Sequence, residues 1–357
     1  MTGASASHTT TRSLPPFPEG WYLVATKRAL SKTKLLQRTW MGREIVAWLD
    51  ANEKICVADS LCPHMGAALG PDAGGSVVAG RLVCPFHGFE FGTDGQCVAT
   101  PSGAPARAAK LYTYPVHDVE GLIFGWWGHA GRPPQWQLPE SASGGNDWTD
   151  IQIRSIRFRG HPQETSENSV DIAHLSYVHG YSNVTHETAI WTEGPQLVSR
   201  FGFSTVRKLA RVLRLKLDVA ATAHLFGLGY SFVEFQELSI GIDARLWVCA
   251  TPVDGELMDM TIVSQVRELH WPRRRFVGLA FLPQRMRAPI LNKFIADVQM
   301  RDVRQDVTIW SRKHFVSRPL LAHSDGDILK YRKYCAQFYP EVPLRPTVAA
   351  PPPTLHG

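Results

Sequence analysis

Long apolar runs are the first thing this sequence lacks. Nowhere in its 357 residues do about 18 consecutive apolar side chains occur, so no membrane-spanning helix is expected. The opening stretch, MTGASASHTTTRSLPPF, lacks the continuous apolar core of a secretory signal. Cysteine is scarce as well: there are six, with no small disulfide-built framework around them. Cytoplasm is the resulting expectation. Charge bias is weak, since 38 Lys and Arg against 32 Asp and Glu leave a formal net charge of +6. That diffuse excess has no RNA- or DNA-binding motif beside it, so no nucleic-acid partner is expected. An acidic partner protein or an anionic membrane surface remains compatible with it. No internal repeat is present.

What is there divides into two regions. Residues 1–18 are Ser/Thr-rich and then Pro-rich, and residues 343–357 are Pro-rich; both read as flexible tails. From Gly20 to about Trp127, short apolar runs alternate with turns. WYLVA, EIVAWLD, KICVAD, SVVAGRLV and GLIFGWWG read as strands, and Thr93-Asp94-Gly95 as a tight turn. The Pro-, Gly- and Ser-rich stretch from Gly131 to Asp147 reads as a linker. Beyond it comes a helix-compatible stretch from roughly Pro162 to His179. Strand-like runs follow, such as RVLRLKLDVA, in which Leu213, Leu215 and Leu217 alternate with charged residues. A longer helical pattern runs from about Pro289 to His314. The expected organisation is an all-β domain over 19–134 and an α+β domain over 135–342.

The all-β region contains Cys62-Pro63-His64 and Cys84-Pro85-Phe86-His87. Ordinary zinc sites pair cysteine with cysteine and histidine with histidine. Here each short loop supplies one thiolate and one imidazole, an order that suits two metals rather than one. Two cysteines on one iron and two histidines on the other make the Rieske type of [2Fe–2S] cluster. Gly66 and Gly88 follow the histidines, where backbone amides approach the cluster sulfurs, and Pro63 and Pro85 stiffen the turns. A zinc ribbon is the rival reading. Rieske centres of the respiratory and photosynthetic cytochrome complexes carry an extra cysteine in each loop. None stands at Ala67 or Phe86, so no disulfide beside the cluster is expected. Phe89, Glu90 and Phe91 place no hydroxyl after the second loop, which implies a lower potential, suited to electrons from a flavin or ferredoxin reductase.

A second constellation lies in ENSVDIAHLSYVHG, where Asp171, His174 and His179 form D-x-x-H-x-x-x-x-H. On an ideal helix the two histidines are roughly 140° apart. Both reach one metal only if the helix tightens or ends between them, and Gly180 is a suitable terminator. Two histidines and one carboxylate make the facial triad of a non-haem Fe(II) oxygenase, with open positions for O2. The segment LNKFIADVQMRDVRQDVTIW offers Asp302 and Asp306, one turn apart on the face shared by Leu291, Ile295, Val298 and Ile309. Periodicity does not choose between them. Glu167 and Asn168 are candidates for supporting the metal site or starting a helix. His161, His186, His224 and His270 read as surface or packing residues, and Cys56 and Cys97 as structural thiols.

Together these motifs, in this order and spacing, resemble the oxygenase subunit of a Rieske non-haem iron oxygenase, from about Gly20 to Tyr339. QDVTIW and DGDILKYRKYCAQFY are similar to segments of the steroid- and sterol-acting branch, that of ketosteroid 9α-hydroxylases and cholesterol 7-desaturases. The resemblance implies an all-β Rieske domain followed by an α+β helix-grip catalytic domain. It implies Cys62, His64, Cys84 and His87 as cluster ligands, His174, His179 and Asp306 as ligands of a mononuclear Fe(II), and Asp171 as the bridge carrying electrons between subunits. A homotrimer follows, because each iron then depends on another chain's cluster.

The expected reaction is O2-dependent oxidation of a C–H bond, by hydroxylation or desaturation, in a steroid-like or other polycyclic apolar substrate. Electrons come from NAD(P)H through a separate reductase. Apolar residues between Trp191 and Trp247, among them Phe201, Phe203, Tyr230, Phe232 and Phe235, are candidates for the substrate pocket. The basic run from Pro272 to Arg287 suggests peripheral contact with an anionic membrane, against the plainer reading of a solvated loop. One alternative is an aromatic-acid monooxygenase or O-demethylase, which should place Arg or Lys in the pocket. A second is an electron-transfer protein without mononuclear iron.

Overall fold

The computed structural model describes residues 14–140, 147–209, 213–239, 241–267, 282–322 and 325–339. Most of the basic run and His270 lie outside them, as do most of the two tails and the middle of the linker. No described helix is long and apolar enough to cross a membrane.

The first region is three small antiparallel sheets. One pairs Gly20–Thr26 with Leu122–Trp127 and Val116–Val119; a second runs Leu35–Trp40, Arg43–Leu49, Ile55–Asp59, Thr113–Tyr114. The third, of Ser76–Val78, Arg81–Val83, Glu90–Phe91 and Cys97–Ala99, carries the second Cys-His loop between its inner strands. Val46, Trp48, Leu69, Leu82 and Phe91 form a core directly behind Cys62 and Cys84. The expected turn at Gly95 is present, with φ +78° and a 3.0 Å bond from its N–H to the carbonyl of Gly92.

The strand Gly20–Thr26 is apolar along nearly its whole length because both its faces are covered. Tyr22 and Val24 point into the core of the first region with Trp40 and Ile45. Trp21 and Leu23 point the other way, with Phe124 and Trp126 from the neighbouring strand, against Tyr230, Trp247, Cys249 and Val263 of the second domain. Each large side chain buried there contributes about 1.5–3 kcal/mol. Arg245 adds a polar tie: it is 4% exposed, stacks on Trp148 at 4.3 Å and donates to the carboxylate of Glu120.

The second domain is one eight-stranded antiparallel sheet. Its order is Gln152–Arg159, Leu257–Val266, Ile242–Pro252, Tyr230–Glu237, Leu213–Phe226, Gln196–Leu209, Ser182–His186, with Trp191–Glu193 also paired to Gln196–Leu209. Alternation gives it two faces. Ser231, Val233 and Phe235 face a cavity, while Tyr230 and Phe232 pack toward the first domain.

Helices cover the cavity face. The long one spans Gln284–Trp310, starting earlier and ending sooner than the sequence pattern suggested. Asn292, fully buried, fixes its register: its amide donates to Thr149 at 2.8 Å and Asp150 at 2.9 Å, and its carbonyl accepts from Ser264 at 2.6 Å. Ile309, expected on the buried face, is 48% exposed. The stretch Pro162 to His179 is not one helix. It forms Pro162–Ser166, a 3-10 turn at Glu167–Ser169 and Ala173–Tyr177. Asn168, Ser169 and β-branched Val170 are weak helix formers at the break.

Candidate metal centres

The two Cys-His loops are the same hairpin used twice. In the first, the Cys62 N–H donates to the carbonyl of Ala67 and the Gly66 N–H to that of Cys62, both at 2.8 Å. In the second, the Cys84 N–H donates to Phe89 at 2.8 Å and the Gly88 N–H to Cys84 at 3.0 Å. Closing so tight a loop needs a left-handed residue four places after each cysteine; Gly66 has φ +74° and Gly88 +63°.

The cysteines are buried, while His64 is exposed and His87 half-buried at the tip, their rings 4.9 Å apart. Phe89 stacks on His64 at 4.3 Å and holds its ring. Burial, with the Cys84 thiol beside it, raises the pKa of Cys62. Two thiols inside and two imidazoles outside are the donor set that a mixed-ligand [2Fe–2S] cluster needs. All six cysteines are free. Cys56 is a packed thiol, its pKa pushed by burial up to about 12.

In the second domain the structure brings His174, His179 and Asp306 together, one ligand atom from each lying within 4.8 Å of the others. The helix does end between the histidines. Tyr177 is its last residue, Gly180 turns left-handed at φ +68°, and the Tyr181 N–H returns to Leu175 at 3.0 Å. His179 Nε2 lies 3.5 Å from Asp306 Oδ1.

Each ring is held by its other nitrogen: His174 Nδ1 bonds the backbone carbonyl of Asp171, and His179 Nδ1 bonds Gln305 Oε1 at 2.9 Å. Such bonds select the tautomer that leaves Nε2 free for a metal, so the donor set fits a bound Fe(II). Burial lowers the pKa of His174. Burial works the same way on His179, but hydrogen bonds to Asp306 and Gln305 outweigh it and raise its pKa. Asp302, also buried, accepts from the Tyr181 hydroxyl at 2.7 Å. Asp171 is half-buried beside the site.

Glu167 opens the 3-10 turn Glu167–Ser169 and closes the helix before it, its N–H donating to the carbonyl of Gln163. Its carboxylate takes Arg332 at 2.8 Å and Lys313 at 3.0 Å, anchoring the segment that leads into the histidines. Asn168 lines the cavity. His161 caps Pro162–Ser166 by accepting from the Gln163 N–H at 3.1 Å, and His224 pairs with Glu234 at 3.2 Å.

The cavity, about 1000 Å3 of empty space including its mouth, opens between these helices and the sheet onto His174, His179 and Asp306. Its walls are mostly apolar, with Phe201, Phe203, Val233, Phe235, Val248 and Ile262 prominent; Thr165, Asn168 and Gln299 are among the polar residues that also line it, and no described lining residue is Lys or Arg. Of the expected pocket residues, Phe201, Phe203 and Phe235 line it. Tyr230, Phe232 and Trp247 sit on the opposite face of the sheet, and Trp191 is 47% exposed.

Sequence reasoning assigned no role to Gln305, Tyr181, Lys313 or Arg332. Gln305 and Arg332 stood in the quoted segments QDVTIW and DGDILKYRKYCAQFY, without a role assigned to either.

Residues 125–339 match the family description of the 3-ketosteroid 9alpha-hydroxylase C-terminal domain, and residues 20–115 that of the Rieske [2Fe-2S] domain. The chain belongs to that family and is a Rieske non-haem iron oxygenase. It is 28% identical to cholesterol 7-desaturase nvd of Xenopus laevis, over 91% of this chain and 73% of the relative. To the oxygenase component of 3-ketosteroid-9-alpha-monooxygenase from Rhodococcus rhodochrous it is 27% identical, over 91% and 82%.

Its fold is that of dicamba monooxygenase, with a TM-score of 0.68 at 18% identity over 89% of this chain and 96% of that one. The cofactors of this Rieske oxygenase are accordingly a [2Fe–2S] cluster and a mononuclear iron, with O2 as co-substrate and electrons from a separate reductase.

Proposed function

We propose that this Rieske oxygenase oxidises a C–H bond of a neutral steroid or sterol-like substrate. One observation carries the reading: a large apolar cavity, without a described cation, opens directly onto His174, His179 and Asp306. A carboxylate-bearing aromatic acid would need a Lys or Arg there to offset its charge. The relatives named for steroid and sterol oxidation support the same class.

In this reading Cys62, Cys84, His64 and His87 hold the cluster, and His174, His179 and Asp306 hold Fe(II). Bound together, the two centres supply reductase-derived electrons and O2 activation. The chain's own residues do the rest. Phe201, Phe203 and Phe235 exclude water and hold the ring system. Asp171 and Gln305 keep both imidazoles turned toward Asp306.

A homotrimer completes the proposal, with Asp171 carrying electrons between subunits. Apolar side chains stand exposed at both would-be partners of that contact. Leu61, Met65 and Phe86 surround the Cys-His loops at 58%, 65% and 60%, and Tyr177, between the two histidines, is 91% exposed. Sedimentation of the holoprotein at the mass of a single chain would sink this part.

The experiment that tests the whole is metal and sulfide analysis of anaerobically purified protein, followed by a substrate screen. About three irons and two acid-labile sulfides per chain, with a Rieske signal after dithionite, are expected. Steroids, not benzoate-type acids, should then stimulate O2 uptake. Two irons and no further Fe(II) uptake on reconstitution would leave an electron carrier instead.

A further inference from the structure

The cavity floor carries a hydroxyl with nothing to bond. Ser231 lies on the central strand Tyr230–Glu237, is 7% exposed and lines the cavity. Its cross-strand neighbours are Leu225 and Val248, both apolar, and the next residue along its own face is Val233. No described residue gives its Oγ a hydrogen bond. On the same face, in register with cavity-lining Ala223, Ser199 is 1% exposed and its Oγ is also without a partner among the described residues. A hydroxyl sealed among apolar side chains, as at Ser199, is costly unless bonded, whereas the Ser231 hydroxyl opens to the cavity and bonds only what the cavity holds. Alanine stands at the nearby cavity positions Ala221, Ala223 and Ala250. At position 231 it would fill nearly the same space but offer the cavity no hydrogen bond.

We infer that Ser231 is a specificity-determining residue that hydrogen-bonds an uncharged oxygen, a ketone or a hydroxyl, on an otherwise apolar polycyclic substrate. The inference rests on the cavity being the substrate site proposed above. A serine hydroxyl donates to a ketone and either donates to or accepts from an alcohol. It does not neutralise a carboxylate, and no described lining residue is a Lys or Arg that would. Ser231 is on the sheet, whereas His174, His179 and Asp306 come from the segments covering it. The oxygen is thus bonded by a different element of the fold from those that supply the iron ligands. One bond at a distance from the reaction fixes which C–H is presented.

The test is equilibrium dialysis of the full, metal-loaded chain against probes that share one ring system: androstane, androstan-3-one, androstan-17-one and androstan-3-ol. Wild type and Ser231→Ala are compared probe by probe, so that differences in probe solubility cancel. Ser231→Ala is expected to weaken at least one oxygenated probe about tenfold. Androstane affinity stays unchanged and serves as the folding control. Equal effects on androstane and the oxygenated probes, or no effect on any, overturn the inference and leave the cavity reading standing. A wild type that binds none of the four overturns that reading, and the inference with it.

Discussion

The hydroxyl of Tyr181 donates a 2.7 Å hydrogen bond to Oδ2 of Asp302, one turn before Asp306 on the long helix. That bond divides two buried aspartates that look alike in sequence. Asp302 is engaged by a phenol, and Asp306 faces His179 at 3.5 Å. The substitutions should therefore part company. Asp306→Ala is expected to remove the mononuclear iron, lowering iron from about three to about two per chain while the cluster signal stays. Asp302→Ala should keep the iron but lower stability by about 1–3 kcal/mol, because Tyr181 loses its acceptor. Metal analysis and thermal melting of both variants decide it; iron loss in Asp302→Ala alone would reverse the assignment.

Gln305 accepts from His179 Nδ1 at 2.9 Å, so its removal frees the ring to rotate and change tautomer. Gln305→Leu should weaken Fe(II) retention about 10- to 100-fold in a chelator competition, whereas Gln305→Glu, which still accepts, should retain it. Equal retention in both variants would mean that the contact does not orient the ligand.

Acid should destabilise the fold in a defined window. His161 accepts the Gln163 N–H through Nδ1 and meets the carbonyl of Pro15 through Nε2 at 3.0 Å, a pattern only the neutral ring completes. Burial lowers its pKa from the ordinary 6.5 to about 4. With a depressed histidine pKa the unfolded chain binds the extra proton, so this contribution is full above 6.5 and falls as pH drops toward 4. For Glu167 burial is outweighed by Arg332 and Lys313, which lower its pKa from 4.5 and extend the loss below that pH. Melting temperature against pH should fall between about 6.5 and 4. His161→Asn, which keeps a capping side chain, should flatten that slope; an unchanged slope would exclude His161 as its source.

Breaking the Glu167 network should be expensive. Its carboxylate is buried and shared between Arg332 and Lys313, so Glu167→Ala takes the nearest carboxylate from both, leaving Lys313 the longer contact to Glu164 at 3.6 Å and Arg332 the carbonyl of Val316. A loss of about 3–5 kcal/mol is expected by denaturant melting. A variant as stable as the parent would show the pairs to be solvent-screened.

The Cys-His and His-His pairs stood out in sequence because each sits within a few residues, where spacing reports geometry; Asp306 was separated from Asp302 only by the resemblance, since periodicity left both open. The groups that orient these ligands did not stand out. Gln305 is 126 residues from His179, Tyr181 is 121 from Asp302, and Arg332 is 165 from Glu167. Nothing local encodes such pairings. The cavity residues show another limit. The strand Tyr230–Glu237 carries an aromatic on each face, so composition does not tell Phe235 in the cavity from Phe232 behind it. The helix break at Val170 was missed as well, although the need for the helix to end before His179 was visible from angle alone.

The aromatic layer between the two domains bears on how the molecule can be taken apart. Trp21, Phe124 and Trp126 on one side are dry only because Tyr230 and Trp247 lie on the other. Expressed alone, either half would present that layer to water as a sticky face. Cutting the chain between the two domains would therefore leave each half with an apolar face that only the other half covers.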